Sequence, residues 1–375
     1  MYPPPFRHRT AASAAVAVIL ACLLLSGGCG GDTSDAGSLD DGACQWRGDG
    51  VCDEPSDCPL GSDEADCVAA CAANPGAELW GACRYRELGG IPSTGVPAEL
   101  AARGSNGKGG LYGWHHGTVY SRNPNWQQEP DHPVVRRYYL VYVPDSYDPA
   151  WPSPLVYYLG GFGVSMWGNT GFSALNTLAE RHRIIVVDAQ QHYRNMGWIG
   201  WMMGWHVYLQ AFDGGWTDNP DVDFHRDVAH HLETLYNIDR TRIYASGHSR
   251  GGGMSIITGL VGSDVFAGFW AQASFVKVND FKSYILDTYQ GRKVAAVIVH
   301  GSYDDNVNPG EGLAAAQTLE AAGWKKGDVA AGWQPGDQLM YYDIAGTGHV
   351  WHRDVNEEIW DFLYHNPMPL AEVRP

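Results

Sequence analysis

From residue 136 onward the chain alternates short, almost continuously apolar runs with longer stretches whose apolar positions recur at helical spacing. Residues 136–143 (RRYYLVYV) open the pattern. A strand at 154–159, a helix at 171–183, a strand at 184–188, a helix at 221–238 and a strand at 243–246 follow, then a glycine-rich helical stretch from 252. Strands that are apolar throughout are buried on both faces, as in mostly parallel sheets covered by helices on each side. In the 221–238 helix Asp221 stands where it can cap the first turn, and Val228, Leu232 and Leu235 share one stripe. Later strands are expected at 295–300 and 339–343, and an amphipathic helix at 355–363. Residues 85–130, rich in Gly, Pro and Trp and without clear period, read as a wrapped leading segment. No internal repeat is present.

Chemistry enters at the loops that end three of these strands. Gly247-His248-Ser249-Arg250-Gly251 lies between a strand and a helix, the setting a G-x-S-x-G elbow requires. The turn is tight enough to demand glycine on both sides, and it lifts the serine hydroxyl toward the N–H groups of the helix start. After the 295–300 strand come Asp304 and Asp305, and spacing to Val307 favours Asp304 as the working carboxylate. His349 sits in a Gly-rich loop, Gly346-Thr347-Gly348-His349-Val350-Trp351, after the 339–343 strand. A serine hydroxyl is a poor nucleophile until an imidazole takes its proton, and a buried carboxylate fixes the imidazole tautomer. Serine, aspartate, histidine, in that order, therefore point to acyl transfer. His225, His230 and His231 lack the carboxylate–histidine spacing of zinc sites and read as packing or solvated residues.

The N-terminal part changes the picture of where such chemistry would occur. Residues 1–28 read as a targeting segment: Arg7, His8 and Arg9 precede an apolar stretch, 11–25, too short to span a bilayer. Leu25-Ser26-Gly27-Gly28-Cys29 resembles a bacterial lipoprotein box with Cys29 as the lipidated residue; ordinary secretion is the alternative. Residues 29–42 are a Gly/Ser/Asp-rich tether. Beyond Cys22 and Cys29 the remaining six of the eight cysteines fall between Cys44 and Cys83, which implies a disulfide-stapled module over 43–84 in an oxidising compartment. Residues 85–375 are long enough to fold on their own core. The net charge of −17 argues against nucleic acid or an anionic membrane surface as partner, leaving membrane contact to the lipid anchor alone.

Together these motifs resemble a known family. Residues 136–365 are similar to the secreted esterases grouped with polyhydroxybutyrate depolymerases, feruloyl esterases and acetylxylan esterases of the α/β-hydrolase fold. The carriers are Arg137–Pro144 (RYYLVYVP), Leu159-Gly160-Gly161-Phe162-Gly163, Asp221-Val222-Asp223-Phe224, Tyr236-Asn237-Ile238-Asp239, the 247–252 elbow, His300-Gly301-Ser302-Tyr303-Asp304 and the 346–351 loop. The resemblance implies Ser249 as nucleophile, Asp304 as orienting acid and His349 as base. It implies an oxyanion hole made by the backbone N–H groups of Arg250 and Phe162, and no catalytic cofactor. The chain departs from the family where His-Gly is usual and Gly160-Gly161 stands here. An insert before residue 221 carries Trp198, Trp201, Trp205 and Trp216; with Trp351, the first three are candidates for stacking on substrate, the alternative being that they fill the space under the loop.

The small module resembles the second half of a low-density-lipoprotein-receptor class A repeat, carried by Cys44, Cys52, Cys58 and Cys67. Asp53, Asp57, Asp63 and Glu64 fall in register with the calcium cage of such repeats, so a structural calcium ion is implied; a solvated acidic face is the alternative. The expected activity is hydrolysis of carboxylic esters outside the cytoplasm, on polyhydroxyalkanoate, feruloyl or acetyl-polysaccharide substrates. A serine peptidase of the same fold and a non-catalytic surface-binding protein are the competing readings.

Overall fold

The apolar runs fold as strands covered on both faces. The computed structural model describes residues 114–125, 129–169, 172–195, 201–207, 218–274, 276 and 278–374. In chain order the strands are β1 (Trp114–Arg122), β2 (Val134–Tyr142), β3 (Ser153–Leu159), β4 (Ile185–Ala189), β5 (His192–Asn195), β6 (Trp201–Gly204), β7 (Ile238–His248), β8 (Gly268–Gln272), β9 (Ala295–Gly301) and β10 (Leu339–Ile344). Among the described residues, eight of them form one sheet in the order β1-β2-β4-β3-β7-β8-β9-β10, and β5 pairs with β6. β1–β2 and β2–β4 are antiparallel and every later pair is parallel. The helices are α1 (Met166–Asn169), α2 (Leu175–His182), α3 (Pro220–Glu233), α4 (Arg250–Val261), α5 (Val278–Ser283), α6 (Pro309–Ala321) and α7 (Asn356–Tyr364). This is the α/β-hydrolase arrangement expected from the motifs.

Period-two alternation along β3 divides the core. Leu155, Tyr157 and Leu159 pack in one apolar layer with Val222, Phe224 and Leu232 of α3, Met254 and Ile257 of α4 and Leu319 of α6. Val156 and Tyr158 point into the opposite layer with Leu175 and Leu178 of α2 and Ile359 and Phe362 of α7. Burial is what makes α4 a helix. Its Gly251, Gly252, Gly253 and Gly259 each cost about 1 kcal/mol of helix propensity. Met254, Ile256, Ile257 and Leu260, all buried, return about 2 kcal/mol each, so packing wins.

Some local expectations differ from the structure. The leading segment contributes β1, a full edge strand paired with β2. The helix at 221–238 ends at Glu233, and Ile238 already belongs to β7. Its cap is Asn219, whose side chain accepts the Asp221 N–H, with Pro220 in the first turn. Asp221 is instead fully buried in a polar knot: its Oδ1 accepts from Arg137 Nη2 at 2.9 Å, and its Oδ2 accepts the His206 backbone N–H at 2.7 Å and lies 2.9 Å from His206 Nδ1. Burial opposes its charge, but His206 and Arg137 outweigh that and hold the carboxyl well below the usual range. Among the described residues no helix is long and apolar enough to cross a membrane.

Candidate active site

Strand β7 delivers Ser249 to the elbow. The serine has φ 58° and ψ −123°, a left-sided backbone conformation that costs about 1–3 kcal/mol for a residue with a Cβ. What holds it there is close packing of the turn on β3. A Cβ on Gly251 would stand 1.9 Å from Leu159 O, and one on Gly247 2.2 Å from Gly251 O, so neither position admits a side chain. The Ser249 N–H donates to Gln272 O of β8 at 2.9 Å. Arg250 opens α4, so its backbone N–H belongs to the first turn, whose amides point out of the helix start. Its guanidinium runs back under the site, donating through Nε and Nη2 to Trp205 O at 3.0 and 2.8 Å, and lies over the Phe162 ring 5.1 Å from its centroid.

Strands β9 and β10 deliver the other two groups. Asp304 Oδ2 lies 2.8 Å from His349 Nδ1, while Oδ1 accepts the backbone N–H groups of Asn306 and Val307 at 2.9 Å each. Burial pushes this carboxyl up, but the Val307 amide, the His349 imidazole and the Asn306 amide prevail and hold it below its ordinary value. The Asp304 side chain is fully buried and Asp305 is exposed. The loops are tied together: Tyr303 N donates to Thr347 O at 2.8 Å and Gly346 N to Ser302 Oγ at 2.9 Å. His248, next to Ser249, packs its ring 4.6 Å from that of His349 and 5.2 Å from that of Phe172. Burial, reinforced by His349, pushes His248 down to about 3, so it stays neutral beside the His349 imidazole.

Two residues of the site are given no role by the sequence. His300, the penultimate residue of β9, places Nε2 3.1 Å from Asp304 Oδ2 and 3.2 Å from Val307 O. Both neighbours are acceptors, so Nε2 carries the proton and His300 is a second donor to the carboxylate. Gln272 accepts the His352 N–H through Oε1 at 2.7 Å, which joins the histidine loop to the strand that holds Ser249 N–H.

The aromatic candidates separate. Trp205 is fully buried, its Nε1 donating to Gly160 O at 3.0 Å and its ring against His225. Trp351 is buried between Tyr158 and Trp270, with Nε1 on Asn356 Oδ1. Neither offers a surface to substrate, because both are consumed by core packing. The backbone of Trp201 lies in β6; Trp198 and Trp216, Cys29 and the module with Asp53, Asp57, Asp63 and Glu64 lie outside the described residues. Among the described residues, Phe162, Phe172, Tyr303 and Val350 stand open on or beside the loops that carry Ser249, Asp304 and His349. His225 is a core residue, its Nδ1 2.9 Å from Thr258 Oγ1, and His230 is exposed.

A curated relative, acyl-protein thioesterase 1 of Emericella nidulans, is 29% identical over 87 residues, which are 23% of this chain and 36% of that protein; the matched part thus spans about a third of the relative. Similar solved structures include an acetyl xylan esterase from Aspergillus awamori, with TM-score 0.48 and 17% identity, covering 66% of this chain and 99% of that one. A ferulic acid esterase from Anaeromyces mucronatus, solved with ferulic acid, gives TM-score 0.43 and 15% identity over 74% of this chain and 95% of that one. A family model described as "Putative esterase" matches residues 135–356, more than half of the chain and every strand from β3 to β10. The chain belongs to this esterase family.

Proposed function

We propose that the protein is a serine carboxylic ester hydrolase working through an acyl-enzyme. The observation that carries this is a strained elbow serine whose neighbour His248 packs on the His349 ring, with His349 Nδ1 2.8 Å from a buried carboxylate. His349 Nε2 takes the Ser249 hydroxyl proton as Oγ adds to the ester carbon, and the carbonyl electron pair moves onto oxygen. The backbone N–H groups of Arg250 and Phe162 receive that oxyanion. Collapse expels the alcohol, protonated by His349, and a water repeats the sequence to release the acid. Asp304 remains a carboxylate throughout and stabilises the imidazolium.

The open side chains of Phe162, Phe172, Tyr303 and Val350 favour esters with an apolar or aromatic acyl part, which fits feruloyl and polyhydroxyalkanoate substrates better than acetyl groups. Action outside the cytoplasm, with the chain lipid-anchored at Cys29 or freely secreted and a calcium-holding module at 43–84, is part of the same proposal and rests on the sequence pattern. The test is an ester panel: polyhydroxybutyrate film, methyl ferulate, acetylated xylan and short nitrophenyl esters. Turnover that falls by several orders of magnitude in a folded Ser249→Ala variant is expected. A wild-type protein inert on every ester would favour the binding-protein reading.

A further inference from the structure

The loop after β3 runs past the nucleophile: a Cβ built on Gly161 would stand 3.4 Å from Ser249 Cβ. Three of its carbonyls accept from buried side chains. Gly160 O accepts from Trp205 Nε1 at 3.0 Å and from Gln191 Nε2 at 3.3 Å. Gly161 O accepts from Gln191 Nε2 at 2.5 Å, besides the Val164 N–H that closes the turn at 3.2 Å. Val164 O accepts from the same Gln191 Nε2 at 2.9 Å. One primary amide thus shares its two hydrogens among three carbonyls of the loop. Gln191 is only 3% exposed and Trp205 fully buried, so neither donor has room to swing away.

In a trans peptide the C=O of one residue and the N–H of the next point in opposite directions. Gln191 holding Gly161 O therefore turns the Phe162 N–H away from Gln191, on the peptide that lies against Ser249. Rotating that plane would aim a carbonyl oxygen at the developing oxyanion instead, exchanging attraction for repulsion. Trp205 fixes the preceding plane and is itself fastened at its carbonyl by the Arg250 side chain, so both predicted oxyanion donors share one brace. We propose that Gln191 is a positioning residue for ester hydrolysis, its side-chain amide, with the Trp205 indole, setting the peptide planes of Gly160 and Gly161 so that the Phe162 N–H faces the oxyanion. This rests on the serine esterase reading above.

The experiment compares Gln191→Leu, Gln191→Glu and Trp205→Phe with the parent protein on a soluble nitrophenyl ester, with melting curves on each. A trifluoromethyl ketone, which forms an oxyanion on Ser249, is titrated beside its unreactive methyl ketone. Gln191→Glu keeps the size and offers at most one donor, the O–H of its acid form, in place of two. The expected result for both Gln191 variants is a kcat lower by roughly 10²–10³, the range for loss of one oxyanion donor, with KM changed less than about threefold. Affinity for the trifluoromethyl ketone should fall in step while the methyl ketone binds as before. Trp205→Phe, which keeps an aromatic side chain and loses the indole N–H, should lower kcat by a smaller factor, and it decides the matter if the Gln191 variants do not fold. Folded variants with unchanged kcat, or with a raised KM alone, overturn the proposal. Ser249→Ala run alongside separates the two levels. Turnover surviving there removes the serine reading and this proposal with it. Its loss there, with parent kcat in the Gln191 variants, removes this proposal alone.

Discussion

Replacing Asp304 by asparagine tests the site with almost no change of shape. Oδ1 of Asp304 accepts two backbone N–H groups, so an asparagine must put its own oxygen there to avoid facing donors with donors. Its NH2 then faces His349 Nδ1 and the Nε2–H of His300, where Oδ2 had accepted from both. His349 is forced to accept through Nδ1 and carry its proton on Nε2, the wrong tautomer for taking the Ser249 proton. The imidazolium also loses its carboxylate. A triad acid changed in this way lowers kcat by roughly 10⁴, about 5.5 kcal/mol of transition-state stabilisation. Steady-state kinetics on a nitrophenyl ester reads it, with circular dichroism to verify the fold. Asp305→Asn, at an exposed position, should stay within about twofold, as surface substitutions usually do. A folded Asp304→Asn variant that keeps a tenth of the parent rate, or a larger loss from Asp305→Asn, would refute the reasoning.

Further outcomes follow from the buried polar groups and the N-terminal part. Asp221→Asn leaves the Arg137 guanidinium buried without its counter-charge and should destabilise by about 3–5 kcal/mol, read as a lower urea midpoint; an unchanged midpoint would mean the pair is not buried in solution. His225 and His248 ionise only near pH 3 in the folded protein, against 6.5 ordinarily, because burial disfavours the imidazolium. Below 6.5 the unfolded chain therefore takes up more protons than the folded one, and stability drains as pH falls from 6.5 toward 3, by about 2 kcal/mol per histidine at pH 5. His225→Phe should remove one such share from the pH dependence of the denaturant midpoint, and an identical slope in the variant would contradict it. A chain beginning near residue 85, ahead of β1, should hydrolyse soluble esters like the longer form. In the isolated 43–84 module calcium should raise thermal stability, and Asp63→Ala with Glu64→Ala should abolish that; no response to calcium would favour the solvated acidic face.

Much of this was legible in the sequence for physical reasons. Strands buried on both faces have to be apolar throughout, so β3, β4, β9 and β10 stand within about a residue of their expected bounds. The elbow announces itself because only glycine fits where Gly247 and Gly251 touch β3. What escaped depends on distant partners. β1 mixes polar and apolar residues because it is an edge strand with a single neighbour. Asp221 looks like a cap until Arg137, 84 residues earlier, is brought onto it by β2. A tryptophan in an insert carries no mark of which way it faces, and Trp205 faces inward. Gln191 has meaning only beside the carbonyls of a loop about thirty residues before it.

The central claim is that Ser249 is the activated nucleophile of a Ser–His–Asp site. Labelling with a fluorophosphonate, followed by intact mass and peptide mapping, tests it most directly. The account predicts one adduct per chain, on Ser249, absent in Ser249→Ala and slowed by orders of magnitude in His349→Ala. No adduct on the folded parent protein, or an adduct on another residue, would contradict it.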